Sequence, residues 1–155
     1  MNKFIKIFVI FYFYSFSANS QKTSINESSK SPKIYNWQVV RVVDGDTLEI
    51  SNEFLPEELK LFVRIKGIDT PEKEFRAKCQ KEKILGQNAS EYTKKAIKTA
   101  QEKKLKITFS EIKWDKFGGR ILAVVKIDNK NLGDELIKKG LARPYNGEKK
   151  ASWCK

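Results

Sequence analysis

The order of hydrophobic and polar positions predicts several strands, one long helix and then more strands. Residues 37–43 are rich in β-branched side chains and end at an Asp-Gly pair typical of a turn. Residues 47–50 alternate as a second strand should, and a third alternating segment covers residues 60–68. We interpret these three segments as an antiparallel meander.

The period changes in the second half of the chain. In residues 85–104 the apolar side chains recur every three or four positions, which predicts an amphipathic helix packed on a sheet. Alternation returns in residues 105–109, and a more apolar strand follows at 121–127. Residues 131–139 predict a short helix that stops at Gly140. Five strands with two or three helices of this size favour a small closed β-barrel with flanking helices, an α+β fold.

Residues 1–20 have the pattern of a signal peptide. Two lysines precede an apolar run of about ten residues, and small side chains before Gln21 provide a cleavage site. A bilayer-spanning helix needs roughly twenty apolar residues, so an uncleaved anchor is the alternative interpretation. Residues 21–35 lack an apolar period and predict a flexible segment before the folded domain at 36–155. We therefore expect a secreted or periplasmic protein, without stable membrane association after cleavage.

Composition narrows the possible chemistry. The 155 residues suit one domain, and 31 Lys and Arg against 19 Asp and Glu give a net charge of +12 without any histidine. The lack of histidine excludes histidine-based triads and histidine-ligated zinc, and two cysteines are too few for an all-cysteine zinc site. In an oxidising compartment Cys79 and Cys154 most simply form a disulfide, with two unpaired thiols as the alternative.

Acidic and basic side chains gather at the ends of the predicted strands. Carboxylates with a backbone carbonyl are ligands that Ca²⁺ or Mg²⁺ prefers, and arginine binds phosphate oxygens in a bidentate manner. A nearby glutamate could orient or deprotonate an attacking water. The set consists of Asp46, Arg64, Asp69, Thr70, Glu72 and Arg120.

Each part also has a simpler interpretation. Asp44-Gly45-Asp46-Thr47 alone is usually a hairpin turn, and Asp69-Thr70-Pro71-Glu72 could begin a helix with proline in its first position. A single arginine often forms a surface ion pair, and the lysines between 94 and 106 are typical of a solvated helix face. The combination of these parts, more than any one of them, favours phosphate chemistry.

Four segments, in this order and with these spacings, resemble the staphylococcal nuclease (thermonuclease) family. They are Val43–Thr47, Arg64–Glu72, Asp115–Ala123 and Leu136–Ala142. The resemblance implies an OB-fold, a five-stranded β-barrel with flanking helices. It also implies a Ca²⁺-dependent phosphodiesterase that cleaves the P–O5′ bond of DNA and RNA and leaves 3′-phosphates. We expect such a protein to be a monomer.

The resemblance further implies a role for each residue of the set. Asp46 and Asp69 are similar to the calcium-binding carboxylates, and Thr70 to the residue that offers its backbone carbonyl. Glu72 is similar to the residue that acts on the attacking water. Lys116 is similar to a contact with a neighbouring phosphate. The two arginines of the set, Arg64 and Arg120, resemble those that bind the scissile phosphate.

Two departures from the family pattern lie close to Arg120. Phe117 replaces a tyrosine, and the Gly118-Gly119 turn is one residue longer. Two other hypotheses fit the same fold: a non-catalytic nucleic-acid-binding OB-fold module, and an exported calcium-binding structural domain. The acidic residues favour the nuclease over the binding module, since carboxylates that repel phosphate would serve no purpose in a binder. The arginines and the net charge disfavour the third hypothesis.

Overall fold

A computed structural model of the chain describes residues 31–51, 53, 56, 58–116 and 118–154. The predicted signal peptide and the first part of the segment after it lie outside the described residues. The elements are β1 (Gln38–Asp44), β2 (Thr47–Ser51), β3 (Leu61–Ile65), β4 (Ile68–Asp69), a 3₁₀ helix (Glu74–Arg76), α1 (Gln80–Glu102), β5 (Ile107–Trp114), β6 (Arg120–Ile127), β7 (Lys130–Asn131), α2 (Leu132–Lys138) and β8 (Arg143–Pro144). Within the described part, no helix combines the length and apolar character needed to cross a membrane.

Within the described residues, a curled six-stranded sheet has the order β1-β2-β3-β6-β5, and its sixth strand, β7, pairs with β6. The first three are the predicted meander, β3 pairs with β6 in parallel, and β6 pairs with β5 in antiparallel orientation. Tyr35 exchanges two backbone hydrogen bonds of 2.8 and 2.9 Å with Phe109 on β5, which ties the segment before β1 to the opposite edge. This curled sheet with two α-helices confirms the predicted α+β barrel.

Alternate strand residues point to the inside of the curl, as the period of two requires. Burying one Val, Leu, Ile or Phe side chain stabilises a fold by about 1.5–3 kcal/mol. The helices add Ile97 and Ala100 from α1 and Leu132 from α2. The largest fully buried apolar side chains are Leu48, Ile50, Val63, Ile65, Phe109, Val125 and Leu136.

Helix α1 begins at Gln80, five residues before the predicted start at residue 85. Its first turn is polar and carries no apolar period, so the sequence pattern misses it. Capping stabilises this turn instead: the Cys79 sulfur accepts a hydrogen bond from the Glu82 N–H, and the Glu82 carboxylate accepts one from the Lys78 N–H at 2.7 Å. The lysines of residues 94–106 are exposed, in agreement with a solvated face.

Strand β5 continues to Trp114, beyond the predicted end at residue 109. The pairing with β6 shifts between Ser110 and Lys113, where Glu111 has a φ of 53°. A bulge of this kind inserts an extra residue and breaks the alternation on which a sequence prediction depends. The strand therefore extends past the point where its pattern fails.

Cys79 and Cys154 form the predicted disulfide, with a Cα–Cα distance of 5.9 Å. Cys79 is the residue just before α1, and Cys154 lies ten residues beyond the end of β8 at Pro144. The bond therefore fixes the C-terminal tail, residues 145–154, to the start of α1. This attachment brings the tail to the acidic and basic residues of the predicted site, which we call the polar cluster.

Candidate active site

Two neighbouring strands carry the two arginines on the same face of the sheet. In the parallel pair β3–β6, Phe62 lies beside Arg120 and Arg64 lies beside Leu122. The alternate residues of both strands are buried in the barrel, so the two arginines are directed to the outer face. Asp46 lies just before β2, whose first residue Thr47 pairs with Arg64.

The Asp44-Gly45-Asp46 segment is a hairpin turn, as the simpler interpretation holds, and it is also part of the polar cluster. Helix α1 packs directly behind it: the Thr93 hydroxyl donates a hydrogen bond of 2.8 Å to the Gly45 carbonyl. A Cβ atom on Gly45 would lie 2.9 Å from the Ala89 Cβ. Only glycine therefore lets the turn approach α1 this closely. The packing fixes the direction of Asp46.

The segment after β4 does not begin a helix at Thr70. It has no regular secondary structure until the 3₁₀ helix at Glu74, and Pro71 and Glu72 lie against α1 where Gly86 leaves room for them. A Cβ atom on Gly86 would approach the Pro71 carbonyl oxygen to 2.8 Å. A helical glycine thus sets the position of Glu72.

A cavity of about 240 Å³ collects most of the predicted site. Its lining includes five members of the predicted set, Asp46, Arg64, Thr70, Glu72 and Arg120. Arg76, which the sequence prediction missed, lines the same cavity; it pairs with Asp44 and lies 3.3 Å from Glu72. The predicted residues therefore converge on one place on the outer face.

Arg64 connects the two buried aspartates of the site. One of its terminal nitrogens lies 2.8 Å from Asp46 Oδ2 and 3.8 Å from Asp69 Oδ1. Burial raises the pKa of Asp46 above its ordinary value of 3.8, and the guanidinium of Arg64 and the hydroxyl of Thr47 offset only part of this effect. The two carboxylates thus face a common volume that already contains positive charge.

Asp69 is surrounded by groups from β8 and the C-terminal tail. Lys150 Nζ lies 2.7 Å from Oδ1, Arg143 donates to Oδ2 from Nε and Nη2, and the Trp153 indole N–H donates to Oδ2 at 3.1 Å. Burial alone would raise the pKa of Asp69, but Lys150, Trp153 and Arg143 outweigh it and hold the pKa below its ordinary value. Sequence patterns gave no role to these three residues.

Of the other predicted residues, Glu72 and Arg120 line the border of the cavity, and Lys116 lies beyond it. Glu72 is 34% exposed and lies 3.6 Å from Lys150. Arg120 pairs with the buried Asp115 at 2.8 Å. Lys116 lies outside this cavity and donates to the Gly147 carbonyl at 3.0 Å. It lines an adjoining cavity of about 310 Å³, together with the exposed Trp114, Tyr145, Arg64 and Lys150.

The donor set of this site fits a hard divalent cation. Asp46, Asp69 and Glu72 offer carboxylate oxygens, and Thr70 adds a backbone carbonyl. Within the described residues, these three carboxylates do not all bring an oxygen within 4.8 Å of one another, and two side-chain cations lie between them. The site thus has the right donors, with the chain's own positive charges among them.

A second group of possible metal ligands does not fit an ion. Cys79, Glu82 and Cys154 bring their ligand atoms within 4.8 Å of one another at the start of α1. The two sulfurs are bonded to each other and offer no thiolate, and Glu82 already accepts the Lys78 N–H of the helix cap. This group is a structural cross-link and cap.

Comparison with known proteins identifies a matching family and two relatives. A family model described as "Staphylococcal nuclease homologue" matches residues 62–153. Endonuclease YncB of Bacillus subtilis (strain 168) is 31% identical over 129 residues, which cover 83% of this chain and 56% of YncB. The SPbeta prophage-derived endonuclease YokF of the same organism is 33% identical over 104 residues, or 66% of this chain and 32% of YokF. The chain thus matches about half of the first relative's length and a third of the second's.

Proposed function

Because the chain belongs to the staphylococcal nuclease family, we propose that it is an exported, Ca²⁺-dependent endonuclease that hydrolyses DNA and RNA and leaves 3′-phosphates. The observation that carries this proposal is the cavity in which carboxylates and two arginines meet. In a chain with a net charge of +12, carboxylates at a surface that attracts phosphate need a chemical reason. Binding a cation beside a phosphate supplies that reason.

The arginines are placed to receive a phosphate group. Arg64 and Arg120 lie on adjacent strands, and each now pairs with a carboxylate at 2.8 Å. A planar guanidinium can exchange a carboxylate for a phosphate without changing its geometry, because both ligands accept two parallel hydrogen bonds. Two guanidiniums facing one phosphate would stabilise the negative charge that develops on it during hydrolysis.

Glu72 is the group best placed to act on water. It lies on the rim of the cavity, partly open to solvent, and its Oε2 lies 3.3 Å from Arg76. From that position a carboxylate can accept a hydrogen bond from the attacking water and take its proton. Asp46, Asp69 and the Thr70 carbonyl would hold the divalent ion, which when bound polarises the phosphate and neutralises developing charge.

The adjoining cavity offers room for a neighbouring nucleotide. It shares Arg64 with the first cavity and carries Lys116, Trp114 and Tyr145. Trp114 is 74% exposed, so its ring can stack on a base, a contact worth about 1–3 kcal/mol. Lys116 would contact the phosphate next to the scissile one.

The proposal is tested by digestion of end-labelled single-stranded DNA and RNA with added Ca²⁺, with and without a chelator. We expect cleavage that the chelator abolishes and products that end in 3′-phosphates. Glu72→Gln should lower kcat by about 10³-fold, equivalent to about 4 kcal/mol of activation free energy, because it removes the proton acceptor. Glu74→Gln, two residues away on the same exposed segment, is the matched control and should keep full activity.

Three outcomes would contradict the proposal as stated. Cleavage that survives chelation would remove the metal, and equal activity of Glu72→Gln would remove its assigned role. Salt-sensitive binding of nucleic acid without cleavage would favour the non-catalytic binding module. Export is checked separately, by N-terminal sequencing of protein recovered outside the cytoplasm, which should begin at Gln21.

A further inference from the structure

Strand β8 and the C-terminal tail contribute to the candidate ion site, although no sequence pattern predicted this. Arg143 on β8 and Trp153 near the chain end both reach Asp69, and the Arg143 guanidinium lies 4.1 Å from the centre of the Trp153 ring. The residue after Trp153 is Cys154, which is bonded to Cys79. These two donors are therefore held by stacking and by a covalent bond.

The two oxygens of Asp69 have different partners. Oδ2 receives the fixed donors, with distances of 3.0 Å from Arg143 Nη2 and 3.1 Å from Trp153 Nε1. Oδ1 faces the site, where Lys150 Nζ lies 2.7 Å away and Arg64 lies 3.8 Å away. Fixed hydrogen bonds to one oxygen of a ligating carboxylate orient its other oxygen toward an ion.

Lys150 lies between a carboxylate that would bind the ion, Asp69, and the carboxylate assigned to the attacking water, Glu72. Besides Asp69 Oδ1, its ammonium lies 3.6 Å from Glu72 Oε1. Its side chain is 38% exposed and ends a flexible four-carbon stem, so it can leave the carboxylates without disturbing the packing. An ammonium and a divalent ion repel each other, so they compete for Oδ1.

Resting on the proposed function, we infer that β8 and the tail complete the ion site in two opposite ways. Arg143 and Trp153 are positioning residues that orient Asp69, and Lys150 is a built-in counter-ion that the divalent ion must displace. The Cys79–Cys154 bond keeps Lys150 at a high effective concentration beside the carboxylates. The resting site is therefore occupied by the chain's own charge.

The test is calorimetric titration of the full chain with Ca²⁺ in the absence of nucleic acid. Lys150→Gln should bind Ca²⁺ about tenfold more tightly than the natural protein, since it removes the competing charge. Trp153→Phe should bind it about tenfold more weakly, since it removes only the indole donor to Asp69. Lys149→Gln removes a neighbouring exposed positive charge and should leave the affinity within about twofold. Lys150→Arg keeps the positive charge and should bind Ca²⁺ less tightly than Lys150→Gln.

The opposite changes in Ca²⁺ affinity expected for Lys150→Gln and Trp153→Phe distinguish this inference from a tail that only supports the fold. If the tail only supported the fold, Lys150→Gln and Trp153→Phe would both weaken Ca²⁺ binding, and the inference would be overturned. Equal affinity of Lys150→Gln and the natural protein would overturn it as well. Circular dichroism melts confirm that each variant is folded.

Nuclease assays of the same proteins distinguish this inference from the proposed function. A protein that binds Ca²⁺ with the predicted order of affinities but cleaves nothing would support the counter-ion and reject the nuclease. Ca²⁺-dependent cleavage with unchanged affinity of Lys150→Gln would support the nuclease and reject the counter-ion. Absence of Ca²⁺ binding in every variant would reject both.

Discussion

The Cys79–Cys154 bond should account for a large part of the stability of the folded domain. The two cysteines are 75 residues apart, and closing a loop of that length in the unfolded chain is worth at most about 4.5 kcal/mol at 25 °C in the chain-entropy model. Replacing both cysteines by serine should lower the free energy of unfolding by about 4 kcal/mol. For a domain of this size that corresponds to a fall in Tm of about 15 °C. Serine is a preferred helix cap, so the start of α1 is not weakened by the change at position 79.

Thermal and urea unfolding, followed by circular dichroism, measure this loss. The natural protein in reductant is the matched control, because it lacks the same cross-link but keeps both sulfur atoms. Its unfolding curve should coincide with that of Cys79→Ser/Cys154→Ser. A loss of less than about 1 kcal/mol in the double variant would show that the cross-link does not constrain the unfolded chain as calculated. Detection of two free thiols in the oxidised protein would refute the bond itself.

Two further predictions concern the site. Replacing a helical glycine by alanine usually stabilises by about 0.5–1 kcal/mol, but Gly86→Ala should destabilise by about 1–3 kcal/mol and lower the proposed nuclease activity. The added Cβ would meet the Pro71 carbonyl at 2.8 Å and displace Glu72, so a gain in Tm would contradict this packing. In a carboxyl NMR titration of the metal-free protein, Asp46 should titrate above 3.8 and Asp69 below it. Asp69 then contributes stability above its unfolded pKa that is lost as pH falls through its folded pKa, whereas Asp46 contributes stability below its unfolded pKa that is lost as pH rises. The reverse order of titration would refute the assigned environments.

Local patterns were sufficient where each residue's environment follows from its place in one element. The alternation in β2 and β3 marks which side chains face the barrel, and Leu48 and Val63 are fully buried as that pattern requires. The pattern failed where something outside the element decides the outcome. Strand β5 extends past Ser110 because β6 continues to pair with it beyond the bulge at Glu111. Helix α1 begins at Gln80 because capping contacts stabilise its first turn, and such contacts produce no hydrophobic period in the sequence.

The candidate site divides in the same way. Asp46, Arg64 and Glu72 could be selected from the sequence because they lie at strand ends within recognisable segments. Arg143 and Lys150 could not, since a basic residue in a polar tail has no pattern that distinguishes it from a solvated one. The sequence did carry one signal for them. The predicted bond between Cys79 and Cys154 requires the residues next to Cys154 to lie against the body of the domain.

The arrangement of charges reduces the cost of burying acidic side chains in the site. Two aspartates nine-tenths or more buried would each carry a large desolvation cost if left unpaired. Arg64 compensates Asp46 in part, and Arg143, Lys150 and Trp153 compensate Asp69, so the chain's own charges offset much of this cost. Breaking one of these pairs leaves a buried charge without its partner, which is more costly than never having built the pair. A substitution at Arg64 should therefore be interpreted through its effect on Asp46 as well as through the proposed binding of phosphate.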